Sequence, residues 1–171
     1  MSELLRLFTQ IAVLRRGPQD VPASMLLLVL SMLAYLGVKA LVCTLLPLQA
    51  WPGPLLAETL FTLLWYVVLL RLVGRPERTL QTATAVFGVQ TLLAPLLVAC
   101  EWLIPRVQQG SAWQLPVASA GLLLLVWLIT ANSHVVKSAL EWSATASVVL
   151  VILQVFSVQL LLVMLFPPAG A

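Results

Sequence analysis

The sequence predicts an all-α polytopic membrane bundle of about five transmembrane helices, preceded by a short amphipathic helix. Three observations carry this. Only 9% of the 171 residues are charged and 61% are apolar, whereas a soluble domain that must solvate a closed surface is about 25% charged. The apolar residues fall into runs of roughly 20, the length that crosses the hydrocarbon core. Lys and Arg gather in alternate breaks between those runs, as membrane topology requires. Five crossings use nearly the whole chain, so residues 1–22 read as a cytoplasmic amphipathic segment and 23–171 as the bundle.

Residues Ser2 to Arg16 have a helical period: Leu4, Leu7, Phe8, Ile11 and Leu14 share a broad face, while Glu3, Arg6, Gln10 and Arg16 lie largely elsewhere. Such a helix suits the membrane interface, where Arg meets lipid phosphate. It equally suits a seat on the cytoplasmic end of the bundle. Gly17 and Pro18 are expected to break it.

The first span runs from about Ala23 to Leu46, and the uncharged connector Leu48 to Pro54 offers Trp51 as an interfacial anchor. The second runs from about Leu55 to Val73. Arg71 to Arg78 is the clearest hydrophilic break. The third covers Thr79 to Ile104, interrupted by Pro95, which frees a backbone carbonyl and offers a kink beside a cavity. A polar loop, Arg106 to Gln114, leads to a fourth span that starts near Pro116 and loses its apolar character at Thr130 to His134. The fifth covers Ala144 to Phe166. A single helix from Val117 to Phe166 would be about 75 Å long, so the chain must turn. The polar residues between Asn132 and Ser143 mark the place.

Orientation follows from charge. Arg6, Arg15 and Arg16 precede the first span, Arg71, Arg75 and Arg78 separate the second and third, and Lys137 separates the fourth and fifth. Only Arg106 lies outside the spans on the other side. This positive-inside pattern puts the N-terminus in the cytoplasm and the C-terminus outside, and the short loops and Leu/Ala/Val-rich composition point to a bacterial inner (cytoplasmic) membrane. The charge pattern also accounts for the net charge of +3. The basic residues are scattered between hydrophobic spans rather than gathered on one exposed face, so nucleic acid is not an expected partner.

Ionisable groups inside spans are the natural functional candidates, because burying an unpaired charge in hydrocarbon costs several kcal/mol. Lys39, Glu58 and Glu101 fall at similar depth toward the outer leaflet and form a candidate intramembrane polar cluster. It reads either as a proton or cation site with Lys39 as counter-ion, or as a structural pair with snorkelling side chains. On the cytoplasmic side His134, Lys137 and Glu141 stand at helical spacing, with Lys137 and Glu141 as an i,i+4 pair. Cys43 and Cys100 share outer-leaflet depth, where a disulfide and two ordinary core thiols are both open. Ala139, Ser143 and Ser147 make a small-residue ladder of the kind that packs helices.

Metal-hydrolase, phosphate-cradling and nucleophile-elbow motifs (HExxH, GxxxxGK[ST], GxSxG) are absent, as is any Cys/His cluster. With one His in the chain, no metal and no cofactor are expected.

Three stretches resemble the Yip family of small five-helix membrane proteins in its bacterial form. Arg75 to Leu97 (RPERTLQTATAVFGVQTLLAPLL) looks like the family's third-helix region, with its charged start, aromatic-Gly centre at Phe87 and Gly88, and downstream Pro95. Trp113 to Pro116 (WQLP) looks like the Trp-led fourth helix, and Lys137 to Leu140 (KSAL) like the element before the last helix. Gly88-Val89 stands where the family has Gly-Tyr. The resemblance implies an interaction or scaffold role rather than catalysis.

The function expected from the sequence is therefore a non-enzymatic scaffold or accessory subunit that binds membrane lipids and a membrane-protein partner or a second copy of itself. Its cytoplasmic contact surface would be Arg15, Arg16, Arg75, Arg78 and Lys137. The alternative is a small transporter, or a subunit of one, working through Lys39, Glu58 and Glu101.

Overall fold

The computed structural model describes residues 2–45, 52–107 and 111–167. Six α-helices occupy them: α1 (Ser2–Ala12), α2 (Met25–Leu45), α3 (Pro52–Leu72), α4 (Thr79–Leu103), α5 (Gln114–Leu140) and α6 (Ala144–Leu165). Five helices are long and apolar enough to cross a membrane. A 21-residue helix such as α2 is about 31 Å long, close to the roughly 30 Å hydrocarbon core. Trp51, the expected anchor, lies outside the described residues.

The helix ends show where local chemistry wins. α1 stops at Ala12, before Gly17 and Pro18, because Leu14 turns left-handed at φ 62°. That conformation costs a non-glycine residue about 1–2 kcal/mol. It is offset by two closing hydrogen bonds, Leu14 N to Ile11 O at 2.9 Å and Arg15 N to Gln10 O at 2.8 Å. α3 ends in the same motif on Gly74, where φ is 75° and the penalty vanishes. α4 runs through Pro95 as one helix.

The fourth and fifth spans meet within the expected stretch between Asn132 and Ser143, at its far end. α5 continues through Thr130 to Leu140, and the turn falls at Glu141 to Ser143. Glu141 takes φ 57°, and the Ser143 hydroxyl accepts from Ala146 N at 3.2 Å to cap α6. The polar residues at 130–134 do not break the helix: Asn132 and Ser133 are buried, His134 is half-buried and Thr130 is exposed. The small-residue ladder dissolves with this turn, since Ala139 belongs to α5, Ser143 is the cap, and Ser147 bonds back to Ser143 O.

Contacts between turns fix the up-and-down order. Arg75 and Arg78, after α3, reach Glu141, after α5. Gln81 Nε2, at the start of α4, donates to Val21 O at 2.9 Å, and the His134 ring nitrogen donates to Arg16 O at 3.1 Å. One end of the bundle therefore holds Arg6, Arg15, Arg16, Arg71, Arg75, Arg78 and Lys137 and is called the basic end below. The opposite end gathers the close of α2, the start of α3 and the close of α4.

α4 is the central helix. Thr82, Ala83, Thr84, Ala85 and Gly88 are buried in succession, and such small side chains let neighbouring backbones approach closely. At the basic end a dry core forms around Ile11, Val86, Val89, Val135, Leu70 and Val151. α1 is part of it: Leu7, Ile11 and Ala12 are buried, and Phe8 lies where a side chain on Gly88 would stand. Of the two placements open to α1, its main apolar face takes the seat on the bundle. Leu5, Val13 and Leu14 stay exposed.

Candidate functional site

The spans bring one set of polar side chains together. A cavity of about 140 Å³ is lined from all five long helices. α2 contributes Tyr35 and Lys39, α3 Glu58 and Thr62, α4 Gln90 and Glu101, α5 Asn132, and α6 Gln154 and Gln159. Gln90 and Glu101 are eleven residues apart on one helix, so the lining extends about 16 Å along the bundle axis.

At its centre Lys39 and Glu58 pair. Lys39 Nζ donates to Glu58 Oε2 at 2.5 Å and to Tyr35 Oη at 3.1 Å, and Tyr35 Oη donates to Glu58 Oε1 at 2.9 Å. Tyr35 and Lys39 stand four apart on α2, which places both on one face. The Tyr35 ring packs against Phe87 of α4 at 5.8 Å. Each group in this closed triangle satisfies another, and so a charged pair tolerates the bilayer.

Glu101, the third member of the expected cluster, lines the same cavity yet makes no hydrogen bond or ion pair among the described residues. It is exposed at the outer rim of α4 beside the cavity mouth. Lys39 and Glu58 cancel, and Glu101 leaves the lining one formal negative charge. Deeper in, Asn132 is 3% exposed and its Oδ1 is buried with no hydrogen-bond partner. The inner limit is Tyr66, fully buried, whose hydroxyl donates to Gln154 Oε1 at 2.7 Å. Beyond Tyr66 the packing is the dry core of the basic end.

The residues missed by sequence reasoning are the uncharged ones: Tyr35, Thr62, Gln90, Asn132, Gln154 and Gln159. Amides within apolar spans were the available signal, since a polar side chain there must find a partner or a cavity.

The expected basic contact surface divides. Arg15, Arg16 and Lys137 are exposed. Arg75 and Arg78 are engaged: Arg75 Nη2 reaches Glu141 Oε2 at 2.7 Å, and Arg78 Nη2 reaches Glu141 Oε1 at 2.8 Å. Arg78 Nη1 also donates to Ala139 O at 2.9 Å, satisfying a terminal carbonyl of α5. Glu141 thus pairs across the bundle and not with Lys137, because its left-handed backbone takes it off the α5 face. The two hydrogen bonds from Arg75 and Arg78 hold its carboxyl down at about 2.

Cys43 and Cys100 are free thiols, Cys43 buried and Cys100 partly so. No group of three or more His, Cys, Asp or Glu side chains able to hold a metal occurs among the described residues. Other hollows lie outside this cavity. A cleft of about 520 Å³ at the basic end is lined by Arg78, whose Nη1 and Nη2 already bond to Ala139 O and Glu141, and a groove of about 420 Å³ between α1, α2 and α4 is almost wholly apolar.

Compared with known protein families, curated proteins and solved structures, the chain matches none of them.

Proposed function

We propose that this is a non-enzymatic inner-membrane protein that works through its intramembrane cavity, as a small transporter or a subunit of one. The carrying observation is that all five long helices place polar groups on one cavity, with an unpaired carboxylate at its mouth. Polar side chains in hydrocarbon are costly to place, and a merely structural role needs only the Lys39–Glu58–Tyr35 triangle. Glu101 and the four amides lie outside that triangle. The positive-inside rule supports a cytoplasmic basic end, so the cavity mouth faces outward.

The test is charge movement in proteoliposomes on solid-supported membranes, after concentration jumps of small cations, anions and zwitterions. A transient current with at least one solute, lost in Glu101→Gln while the protein stays folded, is the expected result. No current with any solute in the wild-type protein would sink the reading.

The scaffold reading keeps one favouring observation: Arg15, Arg16 and Lys137 remain exposed at the same end. The likeness to the Yip family, with its interaction role, points the same way. Anionic headgroups or an acidic partner would meet these three residues, and Arg75 and Arg78 would hold the turns beneath them. Replacing Arg15, Arg16 and Lys137 with Ser should release a partner co-purified in mild detergent. Retention of that partner counts against the surface.

A further inference from the structure

We propose that the groove between α1, α2 and α4 seats one acyl chain of a phospholipid from the leaflet at the basic end, and that this chain is a wedge holding α1 to the bundle. This goes beyond the reading of the cavity and does not depend on it.

The groove has the form of a slot. Ser31 of α2 and Gly88 of α4, both buried, lie at its depth, and Leu5 of α1 and Leu30 of α2, both more than half exposed, form its rim. α1 packs on α4 and α5, and the slot is the space left between it and α2.

Depth selects the occupant first. On α2 the lining runs from Leu27 to Ala34, a rise of about 10 Å, within the half of that span that begins at Met25. A helix of this length crosses the hydrocarbon core, so the rim opens on lipid chains.

Polarity selects next. Ser31 and Thr91 bring the only polar side-chain atoms among the lining residues. Ser31 Oγ donates to Leu28 O at 2.9 Å, and Thr91 Oγ1 donates to Phe87 O at 2.7 Å. Both hydrogens are spent within their own helices. A water molecule needs two to four polar partners, and a polar ligand would lose its hydration for nothing.

Size excludes a helix from a partner or from a second copy. A helix is about 10 Å across, and the 10 Å length on offer would fill nearly twice the groove's volume of about 420 Å³. An acyl chain is thin and flexible enough to enter. Left empty, the slot would cost its walls their dispersion contacts, and such packing is what joins helices within a bilayer.

The test places the full chain in nanodiscs of phosphatidylcholine with a trace of phosphatidylcholine that carries a photoreactive diazirine on its acyl chain. Adducts should concentrate on Leu4 to Phe8 and Leu27 to Ala34, above the level on Leu60 and Leu160, exposed leucines of α3 and α6. Native mass spectrometry from mild detergent should find one phospholipid retained per chain. Ala34→Phe, which fills the slot from an exposed position, should cut that retention at least about tenfold, whereas Leu60→Phe should leave it unchanged. Stripping the lipid should speed tryptic cleavage at Arg15 and Arg16 in the wild-type protein. Ala34→Phe should resist that change, because its ring stands where the chain did. Adducts spread evenly over the exposed leucines, or a retained phospholipid that survives Ala34→Phe, overturn the seat. Cleavage indifferent to lipid removal overturns the wedge. The adduct map needs only wild-type protein, so it decides the matter even if Ala34→Phe does not fold.

Discussion

At the basic end, Ile11, Val86, Val89 and Val135 close into a dry core, and the polar groups there face the turns, where Arg75, Arg78 and Glu141 meet. Toward the opposite end, Lys39, Glu58, Glu101 and four amides line a cavity beside a smaller buried apolar cluster that includes Leu28, Leu55, Phe87 and Ala94. Both ends consist of the same antiparallel helices. They differ in what the central interfaces contain. Where α4 presents Ala85, Val86 and Val89, its neighbours close on it; where it presents Gln90, Ala94 and Glu101, they leave space. The basic end also has a sixth helix to fill it. The lesson is that packing density along a bundle is set layer by layer, by side-chain size and polarity, even when helix content is uniform.

Breaking the cavity end should have the largest effect. Lys39→Met leaves Glu58 as an unpaired charge in the bilayer and should destabilise the protein by about 3 kcal/mol. The double variant Lys39→Met/Glu58→Leu should recover most of that loss. A double variant as unstable as the single would mean the pair is not the source. Unfolding in mixed micelles reads both.

Breaking the plug at the basic end should come second. Gly88→Ala places a methyl group in the ring of Phe8, and overpacking of this kind costs about 2 kcal/mol. α1 should lift before the spans unfold, giving faster tryptic cleavage at Arg15 and Arg16 in detergent. Cleavage unchanged from wild type would show that the Phe8 ring simply rotates aside.

The boundary between the halves is sharpened by Tyr66→Phe. It leaves Gln154 without its donor and should cost about 1 kcal/mol. Adding Gln154→Leu should restore stability and extend the dry core outward, which would shrink the cavity and lower any transient current. Stability not restored by the second change argues against the Tyr66–Gln154 bond as the boundary.

The smallest effect belongs to the exposed clamp. The Glu141 carboxyl titrates at about 2 instead of its ordinary 4.5. A depressed carboxylate contributes stability above the unfolded value, and that stability is lost as pH falls toward the folded one. The clamp should therefore hold at pH 7 and loosen only between about 4.5 and 2. Salt should weaken it further, since Glu141 is solvent-exposed. Hydrogen exchange at the α5–α6 turn, compared with Glu141→Gln, measures this. Turn protection that is lost above pH 5 would mean another group controls it.

Much of this was legible in sequence because the bilayer imposes one dominant constraint. A span must be apolar for about 20 residues and must satisfy its own backbone, so five long helices follow from hydropathy alone. Lys39 and Glu58 stood out as charges among leucines, and they do pair. Asn132 was legible as polar but not as inward-facing: the turn falls inside the expected stretch between Asn132 and Ser143, while Asn132 itself stays buried within α5. Hydropathy counts polar residues without knowing which way a helix is rotated. Arg75 and Arg78 illustrate the same limit, since an Arg in a loop looks free until a carboxylate from a distant turn is brought to it.

The sequence by itself determined the membrane, the number of crossings and the basic end, because transfer free energies add residue by residue along the chain. Only the tertiary structure decided that α1 seals the basic end, that Glu101 stays unpaired while Glu58 does not, and that four amides share one cavity. Those outcomes depend on helix rotation and depth against neighbours, which arise from packing among all the helices at once and have no local signature.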